Sequence, residues 1–102
     1  MALMDFSIFP LDKGESLSEY VAKVLNVIDE SGMDYRLTPM GTVVEGGWDD
    51  LLALLTRCFR TLEKESNRIS IHARFDWRRG VQGALGKKVL SVEDKVGRPL
   101  KR

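Results

Sequence analysis

The sequence predicts an α+β domain with two helices on one face of a four-stranded antiparallel sheet. Three observations carry this. Stretches near the start and past the middle of the chain alternate apolar and polar residues with period two. Two stretches with apolar residues at helical spacing fall between strands. A Pro-Gly corner joins two short strands near the centre. The resulting order is β-α-β-β-α-β with a short helix after it. Right-handed crossovers then fold two βαβ units into a ferredoxin-like sheet with strand order 4-1-3-2.

Leu3 to Phe9 alternates: Met4, Phe6 and Ile8 point one way, and Leu3, Asp5, Ser7 and Phe9 the other. Pro10 ends the strand. Ser16 and Glu19 have capping-box spacing, so the first helix is expected to start at Ser16. Tyr20, Val21, Val24, Leu25 and Ile28 form its apolar stripe, and Gly32 closes it.

Tyr35 to Thr38 reads as a short strand. Pro39 and Gly41 make the corner, and Thr42 to Glu45 is the return strand. The pair Gly46-Gly47 leads into a helix opened by Trp48, with Asp49 and Asp50 where the helix dipole favours acid. Leu51, Leu52, Leu54, Leu55, Cys58, Phe59 and Leu62 give that helix a wide apolar face, as expected for one covered on more than one side. Ile69 to Trp77 is the clearest strand. The glycines between Arg79 and Gly86 predict a loop, and Ser91 with Asp94 predicts a short helix ending near Gly97. Residues 1–97 are read as one domain and 98–102 as a basic tail.

The bulk numbers exclude several classes. A chain of 102 residues has room for one core. A net charge of +1 argues against a nucleic-acid binder working by bulk electrostatics. One cysteine rules out an intrachain disulfide and fits a reducing compartment. No apolar run approaches the ~20 residues of a membrane span. The segment MALMDFSIFP has no basic n-region and carries Asp5 in place of an apolar signal core, so a cytoplasmic location is expected.

No catalytic constellation emerges. His72 is the only histidine and lacks a metal-ligating cluster around it, so no metal site or cofactor is implied. Cys58 lies among leucines and reads as an inert core thiol. The third strand has no aromatic platform of the kind RNA-recognition domains use. The chain is therefore read as a non-enzyme.

The polar groups that remain are Thr38 and Thr42 around the corner and Glu45 beside two glycines. Tyr35 and Trp48 offer flat surfaces. These are candidates to line a pocket. As plain structure they are β-formers, a solvated carboxylate and core aromatics. The sheet face away from the helices is expected to be open, with Asp5, Ser7, Ser70, His72, Arg74 and Asp76 on it. It reads as either a solvated face or a subunit contact.

On these residues the chain resembles a known family. The strand ending in Pro10, the run Thr38-Pro39-Met40-Gly41-Thr42-Val43-Val44-Glu45-Gly46 with Trp48-Asp49 after it, and the ending Ser91-Val92-Glu93-Asp94-Lys95-Val96-Gly97 are similar to the small thiamine-binding YkoF-like proteins. The resemblance spans nearly the whole chain. It implies a ferredoxin-like fold, assembly as a homodimer or homotetramer through sheet faces, and a small-molecule ligand such as thiamine or its hydroxymethylpyrimidine moiety. No reaction is implied. The site it implies is Ser7, Thr38, Thr42 and Glu45, with Arg74 and Asp76 as residues that serve either ligand or interface. An oligomeric scaffold with no small ligand is the alternative.

Overall fold

A computed structural model describes residues 1–102. The elements run β1 (Ala2–Pro10), α1 (Ser18–Glu30), β2 (Asp34–Thr38), β3 (Gly41–Gly46), α2 (Trp48–Glu63), β4 (Ile69–Trp77) and α3 (Ala84–Val96). The sheet is antiparallel throughout, in the order β2-β3-β1-β4, which is the expected 4-1-3-2.

Strand parity assigns the faces. Ala2, Met4, Phe6 and Ile8 of β1 and Val44 of β3 point into the helix layer. There they meet Val24 and Ile28 of α1 and Leu51, Leu54, Cys58 and Leu62 of α2, all buried. Each of the Val, Leu, Ile, Phe and Met side chains among them contributes about 1.5–3 kcal/mol on leaving water. Gly46 belongs to this packing. A Cβ there would meet Met33 Sδ at 2.9 Å and Leu51 at 3.5 Å, so its missing side chain makes room for core atoms rather than for a ligand.

Two helix starts differ from expectation. α1 begins at Ser18, and the residue before it, Leu17, provides no side-chain cap, so the Ser16/Glu19 box is not used. α3 begins at Ala84, seven residues before Ser91. What stabilises this earlier start is distant in sequence: Glu45 Oε2 accepts the Ala84 N–H at 2.7 Å from 39 positions away. Leu85 is buried beneath the same turn. Gly97, at φ +86°, ends α3 in the expected place.

α3 also changes the reading of the open face. It packs over β3 and β1 and covers the end of that face near Leu3, Val43 and Glu45. The half carrying Asp5, Ser7, His72 and Arg74 remains uncovered. Residues 98–102 fold back on α3: Leu100 N–H donates to Glu93 Oε2 at 2.6 Å, and Arg102 lies 3.5 Å from Glu93 Oε1.

Candidate functional site

The strands differ in length. β1 and β4 have nine residues each, β3 has six and β2 five. β1 pairs with β4 along its whole length, but its pairing with β3 stops at Phe6↔Thr42. Beyond that point the edge of β1 facing β3 has no partner strand. The corner Pro39-Met40 folds across the gap.

A cavity of about 340 Å³ occupies this gap. Phe6, Ser7, Ile8 and Phe9 line it consecutively. Successive side chains on a strand point to opposite faces, so four neighbours in a row mean that the main-chain edge itself forms the wall. Leu17, Val21, Val24 and Leu25 close it from the α1 side, and Leu37 to Thr42 close it from the corner. No charged side chain lines it.

The corner is held in place by local chemistry. Thr38 Oγ1 donates to the Gly41 carbonyl at 2.9 Å and accepts the Met40 N–H at 3.2 Å. Gly41 lies against β1, where a Cβ would fall 2.7 Å from the Phe6 carbonyl oxygen. Met40 caps the corner and is 87% exposed.

Of the four expected site residues, Ser7, Thr38 and Thr42 line this cavity together. Thr38 spends its hydroxyl on the corner. Thr42 is only 4% exposed, and its hydroxyl makes no hydrogen bond within the chain. That oxygen is not among atoms sealed off without a partner, so the cavity reaches it. Glu45 does not line the cavity. It stands three residues after Thr42, and odd parity sends it to the opposite face. There the residue is 7% exposed and its carboxylate receives the α3 N-terminus.

The expected flat surfaces also lie elsewhere. The Trp48 ring is 4.8 Å from that of Phe75, and the Tyr35 hydroxyl donates to Asp29 at 2.9 Å, which raises its pKa. The aromatic residues lining the cavity are Phe6 and Phe9. Sequence reading missed them as cavity lining, together with Val21 of α1 and Leu17 just before it. The one available signal was the mismatch between a long first strand and a short third one.

The remaining candidates sort by partner. Asp76 pairs with Lys88 of α3, whose ammonium holds its carboxyl below the usual carboxylate range. Arg74 instead faces Asp5 across the β1–β4 ladder at 3.6 Å. Burial pushes the Cys58 thiol up to about 11, so it stays protonated at neutral pH.

Comparison with known proteins adds a lineage. The model of the family described as thiamine-binding protein matches residues 4–93. The chain belongs to this family. The UPF0045 protein Mb1933 of Mycobacterium bovis is 35% identical over 98 residues, 95% of this chain and 96% of the relative. The UPF0045 protein YqgV of Bacillus subtilis is 34% identical over 98 residues, covering 90% and 94%. Among solved structures, protein MJ1052 of Methanocaldococcus jannaschii superposes with a TM-score of 0.84 at 27% identity, over 91% of this chain and 96% of that one. A Thermotoga maritima protein provisionally assigned to thiamine biosynthesis or salvage gives 0.77 at 22% identity, over 89% and 97%. It shares the fold.

Proposed function

We propose that this member of the thiamine-binding family is a non-catalytic carrier or sensor of thiamine, or of its hydroxymethylpyrimidine moiety. We further propose that the pyrimidine sits in the cavity between β1 and the β2–β3 corner. The observation that carries this reading is the Thr42 hydroxyl, which makes no hydrogen bond within the chain and is open to an otherwise apolar cavity that Ser7 also lines. Water entering the cavity can satisfy that hydroxyl, and a ligand that displaces the water must offer a hydrogen bond in its place.

An aminopyrimidine is suited to that role. It has an exocyclic amine donor, ring-nitrogen acceptors and a flat apolar body. Thr42 and Ser7 provide hydroxyls, and the free edge of β1 provides main-chain donors and acceptors at a fixed spacing. Phe6 and Phe9 supply aromatic surface. The proposed ligand residues are thus Ser7, Thr38 and Thr42, with Glu45 left to hold α3.

Calorimetry with hydroxymethylpyrimidine tests this. The Thr42→Ala change is expected to weaken binding about tenfold, the worth of one net hydrogen bond, while Thr42→Ser largely retains it. Full affinity in Thr42→Ala would reject the site.

Self-association is part of the same reading. Ile71 and Trp77 of β4 are exposed on the helix side; on the open face, α3 is left with the exposed apolar residues Leu90, Val92 and Val96. An oligomer contact is expected to combine these with the sheet, and light scattering reports it. No helix is long and apolar enough to cross a membrane, and the single free thiol suits a reducing cytoplasm.

A further inference from the structure

The cavity carries no charge, but its surroundings do. On the uncovered half of the open face, a shallow bowl of about 390 Å³ is lined by Asp5, Phe6, Ser7, Met40, His72, Ala73 and Arg74. Phe6, Ser7 and Met40 line both the bowl and the cavity. The two hollows therefore adjoin where the sheet stops, on either side of the Met40 side chain.

The bowl's polar groups are placed by strand register. Ser7 faces His72 and Asp5 faces Arg74 across the β1–β4 ladder, all on one face. Arg74 and Asp5 are 3.6 Å apart, a loose pair with the arginine 85% exposed. Such a pair is worth little and re-forms easily around another charge. Its neighbour differs: Asp76 is already engaged by Lys88. The bowl thus presents one carboxylate, one guanidinium and one imidazole within reach of a ligand lodged in the cavity.

A ligand that fits both hollows has a neutral flat head and a charged end. We propose that the site selects a phosphate ester of thiamine over thiamine itself, with Asp5 beside the cationic ring and Arg74 and His72 on the phosphate. This rests on the thiamine-type reading of the cavity. Arginine matches a phosphate with paired charge-assisted hydrogen bonds, and the pairing is sensitive to salt because the bowl is open to solvent.

Titration calorimetry at low salt with hydroxymethylpyrimidine, thiamine and thiamine monophosphate separates the possibilities. The monophosphate is expected to bind about tenfold more tightly than thiamine, as for one hydrogen bond between charged partners. Arg74→Ala should abolish that preference and leave the affinity for hydroxymethylpyrimidine unchanged. Arg74 is exposed, so its replacement does not endanger the fold. Raising the salt should shrink the preference in the native protein.

Equal or weaker binding of the monophosphate overturns the proposal and leaves the cavity reading intact. So does an Arg74→Ala variant that weakens all three ligands alike. Silence from all three ligands overturns both.

Discussion

Thr42 and Glu45 sit three residues apart on one strand, and both are almost completely buried, yet they do opposite things. Thr42 points into the cavity with its hydroxyl unused. Glu45 points to the other face with its carboxylate committed to the α3 N-terminus. Composition cannot distinguish them. Each is a polar group next to a glycine, in the same apolar frame. Strand parity separates them, and then the question of which face has an element able to supply a partner. A buried polar group that is satisfied holds the fold together. One that opens onto a cavity with no partner in the chain is free to bond to whatever enters.

The largest effect is expected at the start of the strand that carries both residues. Gly41 lies where β3 meets β1, and a methyl group there would sit 2.7 Å from the Phe6 carbonyl oxygen. That oxygen belongs to main chain held on its other side by β4, so it cannot move cheaply. Gly41→Ala is expected to cost about 2–3 kcal/mol, the upper range for overpacking, and to abolish ligand binding by spreading the corner. Urea unfolding and calorimetry read the two effects. A variant of native stability and affinity would show that the strands part without strain.

A somewhat smaller effect is expected at Glu45, and it should separate the two faces. Glu45→Ala leaves the Ala84 N–H without its acceptor and removes a carboxylate from the positive end of α3. The expected loss is about 1–3 kcal/mol, with faster hydrogen exchange at the first turn of α3. Glu45→Gln keeps an acceptor and should recover part of it. Affinity for the pyrimidine should hold in both variants, because Glu45 does not line the cavity. A drop in affinity matching that of Thr42→Ala would mean that the faces are coupled.

The same contrast explains what the sequence disclosed. β1 was legible because one face of it is buried, so alternation persists from Met4 to Ile8. β4 alternates from Ile69 to Trp77 although only Ile69 and Phe75 pack partly against the core. The strand order followed from chirality and connection rules that need no contacts. α2 was legible by its breadth of leucines, which the structure divides between the core and a partly exposed flank at Leu52. The first turns of α3 were not. Residues from Ala84 to Leu90 include Gly86 and two lysines, and what commits them to a helix is a carboxylate 39 positions earlier. The cavity was half legible. Thr38 and Thr42 were found as polar residues around a corner, and Ser7 entered only with the family resemblance. The gap that gathers them comes from a difference in strand length, a relation between two segments that periodicity within either one does not show.

A second polar tie, unlike that of Glu45, lies exposed at the surface. The Asp12 carboxylate accepts from Ser66 Oγ at 2.6 Å and from the Asn67 N–H at 2.8 Å, joining the turn after β1 to the loop before β4. Those bonds, the serine's first, lower its pKa below the ordinary value of 3.8. A carboxyl with a lowered folded pKa contributes stability that is fully present above 3.8 and is lost as pH falls through the folded value. Asp12→Asn should therefore lower the melting temperature slightly at neutral pH, with the gap to the native protein closing in acid below that point. Water competes for every partner here, so the effect should be the smallest of the three. A loss as large as that of Glu45→Ala would mean that burial is not what gives a polar tie its strength in this fold, and the contrast between Thr42 and Glu45 would then need another explanation.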